Sequence, residues 1–161
     1  VVPRISDLPD IEEFLREEVP EEEEVMPLGQ AQVVQEGTDL TLVSWGAMMR
    51  PAVKAAAEVE KKHGTSIEII DLLTIAPLDS NTVTASVART GRCVVVQEAP
   101  RSFGAASELI ACINDKAFLY LEAPVKRLTG YDVVTPYFGR EKSYLPNAPR
   151  VVHAIEETLN F

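Results

Sequence analysis

The sequence predicts one α/β domain in which helices cover both faces of a parallel sheet, and three observations indicate it. The 161 residues suffice for one well-packed core and are too few for two ordinary domains. Strand-like and helix-like segments alternate along the chain, as in doubly wound three-layer folds. The third strand-like segment is apolar at consecutive positions, which indicates burial on both faces.

Turn residues bound the first strand and helix. Leu40–Ser44 has an apolar, β-rich centre and follows Gly37, so it is the first predicted strand. The alanine-rich segment 46–64 suits a helix packed on a sheet. Pro51 fits its first turn, and Gly64 is a natural left-handed stop. Together they form the first strand–helix unit.

The middle of the chain repeats this unit. Ser66–Leu72 is the second predicted strand. Asp79 is expected to cap a helix over Ser80–Arg89, which Gly91 would end. Cys93–Gln97 is a wholly apolar third strand, and its lack of alternation predicts a central position in a parallel sheet.

The last part of the chain joins regular elements through a long connection. Ser102–Ile113 is the third predicted helix, and Val125–Leu128 is the fourth strand. Residues 129–149 are predicted to be a loop held by prolines, before a final helix at Arg150–Asn160. Loops of this length often form binding surfaces or clamp a neighbouring subunit.

The acidic start of the chain differs from the rest. Residues 1–24 hold ten acidic and two basic side chains, a net charge of −8 out of −10 for the whole chain. We therefore predict that residues 1–30 are a connector, with a short helix at 11–18, and that residues 31–161 are the folded domain. A solvated linker and a surface for a basic partner are both open interpretations, whereas nucleic-acid binding is disfavoured.

The chain also lacks the features of a secreted or membrane-spanning protein. It begins at Val1 without a basic, apolar signal segment and has no long apolar run. We therefore expect a fragment or a processed chain, located in the cytoplasm or, in a eukaryote, in the mitochondrial matrix.

Motifs that bind phosphate or activate a nucleophile are absent from the sequence. No GxGxxG or GxxxxGK[ST] loop occurs, and Ser44 lacks the flanking glycines of a nucleophile elbow. Cys93 and Cys112 lie in apolar runs, which predicts buried, unreactive thiols and not a zinc site. The sequence therefore predicts no catalytic, cofactor-binding or metal-binding residue in this domain.

The isolated histidines and two aspartates have structural interpretations. His63 is expected to be a charge at a helix end, and His153 a surface residue. Asp71 and Asp79 flank a short connecting segment, where caps and turns are commoner roles than acid–base catalysis.

The segment Gln97–Arg101 is more informative because it follows the third strand. In open α/β sheets, ligands and partners lie at the carboxyl ends of the strands. Glu98 and Arg101 are three residues apart, so they can pair with each other or reach another chain. An interface role is favoured over direct contact with a cofactor or substrate.

Five segments occur in the order and spacing of one known family: GTDLTLVSWGAMM, IDLLTIAPLD, VVVQEAPRSFGAASELIA, LEAPVKRLTGYDVVTPY and SYLPN. Over roughly residues 15–161, the chain resembles the C-terminal domain of the β-subunit of thiamine-diphosphate-dependent 2-oxo acid dehydrogenases, of the pyruvate, branched-chain or acetoin type. The resemblance implies a transketolase C-terminal domain fold. That fold is a mostly parallel five-stranded sheet with one antiparallel strand, covered by helices on both faces.

The resemblance also implies how the activity is divided. The intact β-subunit would pair with an α-subunit in an α2β2 heterotetramer, and two β-subunits would be present. Thiamine diphosphate and Mg²⁺ would lie between the α-subunit and the N-terminal domain of the β-subunit. Oxidative decarboxylation of a 2-oxo acid and acyl transfer to a lipoyl group would need those parts, so this domain alone is predicted to be inactive.

A docking role follows from the same resemblance. Pyruvate-type relatives hold a basic peripheral subunit-binding domain of the dihydrolipoyl acyltransferase with acids near the LEAP segment and with a C-terminal carboxylate. Carried over, the candidates are Glu122 and Phe161, with Asp132 as a weaker one. With Glu98 and Arg101 they make five predicted interface residues.

Two departures from the family bear on the segment after the third strand. Gln97 stands where relatives commonly have histidine, and Ser102–Gly104 replaces a common Thr-Gly-Gly run. A pocket role for this segment is therefore in doubt.

Two other functions remain open. A free-standing small-molecule or nucleotide-binding domain would hold its ligand near Trp45, Glu98 and Arg101, although phosphate loops are lacking. The corresponding domain of a transketolase or deoxyxylulose-phosphate synthase fits the LEAPV, GYD and YLP segments less well.

Overall fold

The computed structural model describes residues 26–136 and 140–161, and its centre is a five-stranded sheet. The strand order is β1-β3-β2-β4-β5. β1 pairs antiparallel with β3, and the other neighbours pair in parallel. The predicted mostly parallel sheet with one antiparallel strand is confirmed. The strands are β1 Gln32–Gln35, β2 Leu40–Ser44, β3 Ile67–Asp71, β4 Cys93–Val96 and β5 Lys126–Leu128.

Among the described residues, four longer helices cover this sheet, and one short helix lies in the connection between the last strand and the last helix. Each longer helix begins near the carboxyl edge, where β2 to β5 end, and runs back to the amino edge, where those strands begin. Short 3-10 turns precede the first helix and follow the third, at Gly46–Met48 and Phe118–Tyr120. The helices are α1 Met49–His63, α2 Ser80–Thr90, α3 Ala105–Ala117, α4 Glu141–Tyr144 and α5 Ala148–Leu159.

The central strands are buried on both faces. Leu42 of β2 packs on one face with side chains of α1 and α5, such as Val59 and Ile155. Val43, the next residue, packs on the other face with side chains of α2 and α3, such as Leu109. Successive strand residues point to opposite faces, so this double burial explains why the sequence of β4 is continuously apolar.

Polar side chains inside this core are paired. The Thr41 hydroxyl lies 2.6 Å from Ser86 Oγ and 2.7 Å from Thr90 Oγ1. Glu68 of β3 is almost fully buried, and Arg89 Nη2 lies 2.5 and 2.6 Å from its two carboxylate oxygens. These contacts satisfy groups that would otherwise be costly to remove from water.

The predicted cap of α2 and the predicted glycine stops of α1 and α2 are confirmed. The Asp79 carboxylate accepts a hydrogen bond from the Thr82 backbone N–H at 3.1 Å and caps α2. Gly64 and Gly91 adopt left-handed conformations, each with φ of 69°, where α1 and α2 end. The Asp79 carboxylate also accepts from the Ala31 backbone N–H at 3.0 Å, which ties the approach to β1 to α2.

Three elements differ from the sequence prediction. The residues of β1 were not predicted to form a strand, because an edge strand with three exposed residues shows no apolar alternation. α3 starts three residues late because Phe103 has a positive φ of 57°, and it continues to Ala117. The predicted loop 129–149 contains α4, and α5 begins at Ala148 because proline is accepted in a first turn.

The predicted helix at residues 11–18 lies outside the described residues, and so does most of the predicted connector. Within the described residues, the helices are too short and too polar to cross a membrane.

We predict that Arg89→Gln destabilises the domain by about 2 kcal/mol, because it leaves the Glu68 carboxylate buried without its cation. This loss of stability is smaller than the loss for a fully buried ion pair, because the Arg89 side chain is partly exposed to solvent. Urea unfolding at neutral pH measures the effect. Glu68→Gln in the same chain should recover part of the loss, and a double variant less stable than Arg89→Gln alone would contradict this explanation.

Candidate functional site

The five predicted interface residues fall at opposite edges of the sheet. Glu98 and Arg101 follow β4 at the carboxyl edge, and Asp132 follows β5 at the same edge. Glu122 precedes β5 at the amino edge, and Phe161 follows the end of α5 there. The structure therefore joins Glu122 with Phe161 and separates both from Asp132.

At the carboxyl edge, a carboxylate closes one loop onto another. Asp132 accepts hydrogen bonds from the backbone N–H of Ser102 at 2.9 Å and from its hydroxyl at 2.7 Å. These hydrogen bonds lower the pKa of Asp132, with a smaller contribution from the Arg101 charge. Glu98 and Arg101 are exposed, and among the described residues no ion pair joins them. Both side chains are thus available to a neighbour.

Gln97 supports this loop from beneath. Its side chain is fully buried, and its amide donates to the Pro100 carbonyl at 2.9 Å and accepts from the Ala106 backbone N–H at 2.9 Å. A Cβ on Gly104 would lie 2.1 Å from Gln97 Nε2, so any larger residue there would force the Gln97 amide out of its present position. Because both ends of the amide are occupied, Gln97 holds the start of α3 in place and does not offer a free group to a pocket.

Large apolar side chains surround the same edge. Phe103 is fully exposed although its backbone has a positive φ of 57°, a conformation that is uncommon for a bulky residue. Val133 and Val134 are also exposed. Exposed apolar patches of this kind commonly mark interaction surfaces. The sequence analysis missed them because they lie in irregular loops without hydrophobic periodicity.

The long loop is fastened at its start by Arg150 of α5. The Arg150 guanidinium donates to the Thr129 carbonyl at 2.8 Å and lies 4.8 Å from the centre of the Tyr131 ring. The Tyr131 ring also meets the Tyr144 ring edge-on at 6.3 Å. These contacts hold the backbone that directly precedes Asp132 and Val133.

At the amino edge, Glu122 is held against the turn that starts β4. Its backbone N–H donates to the Gly91 carbonyl at 2.7 Å, and its Oε2 lies 2.5 Å from Arg92 Nη1. A Cβ on Gly91 would lie 2.9 Å from Glu122 Cγ. Glycine at position 91 therefore serves two purposes, the left-handed end of α2 and the close approach of Glu122.

Glu122 and Phe161 line one groove of about 590 Å³. Its walls are otherwise mostly apolar and include Ile110, Phe118, Leu119 and Val125. Leu119 is 92% exposed and Phe161 is 79% exposed, so the groove presents substantial apolar surface to solvent. The 3-10 turn that carries Phe118 and Leu119 was not anticipated from the sequence.

A charged cavity of about 370 Å³ lies next to this groove and shares Arg92 with the Glu122 contact. His63 and Glu156 line this cavity, and His63 Nε2 lies 2.9 Å from one oxygen of Glu156. Lys62 Nζ lies 2.7 Å from the same oxygen. The hydrogen bonds from Lys62 and then His63 lower the pKa of Glu156 to about 2. His63 is the last residue of α1, so its predicted position at a helix end is confirmed.

The other titratable candidates have structural positions. His153 is exposed, as predicted, and Asp71 accepts from the Leu73 backbone N–H in a turn. Burial raises the pKa of the Cys93 thiol to about 12. Cys112 is only half-buried, so the prediction of two buried thiols is confirmed for Cys93 alone. The described residues contain no group of three or more His, Cys, Asp or Glu side chains placed to hold a metal ion.

Comparison with known proteins gives consistent similarities. The family described as transketolase, C-terminal domain, matches residues 29–151. The chain is 48% identical over 146 residues to the pyruvate dehydrogenase E1 component subunit beta of Bacillus subtilis, and 44% identical to that of Staphylococcus aureus. Each match covers 91% of this chain and 45% of the relative. The chain thus spans less than half the length of these relatives.

Solved structures give the same fold. A split-gene transketolase, described as an inactive beta4 tetramer, matches with a TM-score of 0.73 and 25% identity, over 84% of this chain and 43% of that one. A 2-oxoglutarate:ferredoxin oxidoreductase from Magnetococcus marinus matches with a TM-score of 0.54 and 12% identity, over 81% and 19%. The second likeness concerns the fold alone.

We predict that Glu156 makes the stability of the domain depend on pH in the acid range. The folded pKa is about 2 and the ordinary value is 4.5, so the contribution is fully present above about pH 4.5 and lost as the pH falls toward 2. Glu156→Gln should flatten this part of the curve of unfolding free energy against pH. An NMR titration in which the Glu156 carboxyl shows its ordinary midpoint would overturn the prediction.

Proposed function

The chain belongs to the transketolase C-terminal domain family, and from that premise we propose that it is the assembly and docking domain of a 2-oxo acid dehydrogenase β-subunit. The complete enzyme would carry out thiamine-diphosphate-dependent oxidative decarboxylation of pyruvate or a branched-chain 2-oxo acid and acyl transfer to a lipoyl group. Two similarities support this proposal, the 48% and 44% identities to pyruvate dehydrogenase E1 β-subunits. The observation that carries it is the separation of two exposed surfaces on opposite edges of one sheet.

We assign the carboxyl edge to subunit assembly. Glu98 and Arg101 are exposed there beside the exposed Phe103 and Val134, which gives a surface with both apolar area and charge. Interfaces commonly combine these features. The proposed neighbours are the N-terminal domain of the β-subunit, the α-subunit and the second β-subunit of an α2β2 heterotetramer. Asp132 contributes by holding the loop in shape through Ser102.

We assign the amino-edge groove to docking of the basic peripheral subunit-binding domain of the dihydrolipoyl acyltransferase. Its apolar walls suit a folded partner, and the exposed Glu122 carboxylate on its rim suits a cationic side chain. Phe161 supplies an exposed aromatic ring, which is a common anchor in protein interfaces. The role of a carboxylate at Phe161 stays a prediction.

The cofactor chemistry is assigned to other parts of the enzyme. Thiamine diphosphate, when bound, supplies the carbanion that attacks the 2-oxo acid. This assignment is supported by the lack of a metal-binding cluster among the described residues and of a phosphate loop in the sequence. This domain would instead hold the acyltransferase close to the site where the acyl group is formed. We propose a cytoplasmic location for the complex, or the mitochondrial matrix in a eukaryote.

We predict that the isolated chain has no decarboxylase activity. The assay supplies pyruvate or a branched-chain 2-oxo acid with thiamine diphosphate, Mg²⁺ and an artificial electron acceptor. The rate should equal that of a sample without protein, because the groups that hold the cofactor would lie elsewhere. The full β-subunit mixed with its α-subunit is the positive control. Turnover by the isolated chain would contradict the proposed division of labour.

We predict that the chain binds a basic peripheral subunit-binding domain and that Glu122→Lys weakens this binding by about tenfold, because the reversal places like charges opposite each other. Titration calorimetry measures the affinity, which should also fall as salt is added. Glu58→Lys is the matched control because Glu58 is exposed on α1, outside the groove. Equal effects of the two variants would refute the assignment of Glu122.

A further inference from the structure

We infer that Arg92 is an internal competitor for the Glu122 carboxylate and thereby limits how tightly the amino-edge groove binds a basic partner. This inference rests on the proposed docking role of the groove. In the free domain, Arg92 Nη1 lies 2.5 Å from Glu122 Oε2, so a cation of the domain itself already offsets the charge of the carboxylate on the groove rim. A cation from a partner must therefore share the Glu122 carboxylate with the Arg92 guanidinium or displace that guanidinium.

The backbone on both sides of this ion pair is fixed. The Arg92 carbonyl accepts from the Thr41 backbone N–H at 2.9 Å and from the Thr90 hydroxyl at 3.1 Å. The Glu122 backbone N–H donates to the Gly91 carbonyl at 2.7 Å. Because both backbones are anchored, competition would involve movement of the two side chains and not of the strands.

The two side chains differ in exposure. Glu122 is 60% exposed whereas Arg92 is 28% exposed, so a partner reaches the carboxylate more easily than the guanidinium. A half-exposed ion pair is weakened by solvent, which makes exchange of its cation feasible. The Glu122 carboxylate is therefore the accessible half of the pair.

A displaced Arg92 would not be left without an acceptor. Arg92 also lines the charged cavity, which contains the carboxylates of Asp39 and Glu156 as well as His63. Asp39 accepts from the Ser66 backbone N–H at 2.8 Å, and Glu156 is bound by Lys62 and His63, yet each carboxylate has further acceptor capacity.

The hydrogen bonding of the Arg92 guanidinium in its present position is incomplete. Its Nε is buried and has no hydrogen-bond partner among the described residues. A buried donor without a partner disfavours the arrangement that contains it. Both the cavity carboxylates and the unpaired Nε thus reduce the free-energy cost of separating Arg92 from Glu122 when a partner binds.

The test measures binding of a peripheral subunit-binding domain from the same source to this chain by titration calorimetry at low salt. Arg92→Gln and Arg92→Met should each bind about threefold to fivefold more tightly than the unaltered chain, the size expected for an exposed ion pair. Lys54→Gln, which removes one positive charge from the exposed surface of α1, controls for net charge and should have a smaller effect. Circular dichroism checks that each variant is folded.

A second measurement tests whether Arg92 acts through Glu122. In a chain that carries Glu122→Gln, adding Arg92→Gln should leave the affinity unaltered. If the unaltered chain binds but the Arg92 variants bind no more tightly than Lys54→Gln, this inference is wrong and the docking proposal stands. If neither the unaltered chain nor the Arg92 variants bind, both fail.

Discussion

The structure depends on the burial of the central strands on both faces. β2, β3 and β4 carry apolar side chains toward α1 and α5 on one side and toward α2 and α3 on the other. Neither face can meet water without a large loss of hydrophobic stabilisation. Polar groups in these strands are accepted only in pairs, as with Thr41 and the Glu68–Arg89 contact.

This constraint leaves the two ends of the strands as the places where function can be built. The carboxyl edge is shaped by loops that Gln97 and Arg150 support, and the amino edge by the turn at Gly91. The sheet lies between them as a rigid spacer. A domain of this kind suits a role in which one edge joins the enzyme and the other receives a mobile partner.

Charge at the amino edge is arranged in layers. Glu122 is the exposed acid and contacts Arg92, which also lines the neighbouring cavity with Asp39 and Glu156. Arg92 thus lies between the Glu122 carboxylate and the cavity that holds the other two acids. In the proposed docking, a cationic side chain of the partner would replace Arg92 at Glu122, and Arg92 would stay close to the cavity carboxylates. Neither charge would then be buried without a counter-charge, which is a physical basis for reversible docking.

The sequence by itself determined the elements whose causes are local. β-rich segments between turn residues predicted β2 and β3, and a continuous apolar run predicted β4. Asp79, Gly64 and Gly91 predicted the ends of α1 and α2, because caps and left-handed stops depend on a few adjacent residues. Tertiary structure alone decided which distant residues meet. Glu122 contacts Arg92 and lines one groove with Phe161, whereas Asp132 lies at the opposite edge and contacts Ser102. β1 forms a strand by pairing with β3. The sequence did not predict these contacts because they join segments far apart in the chain.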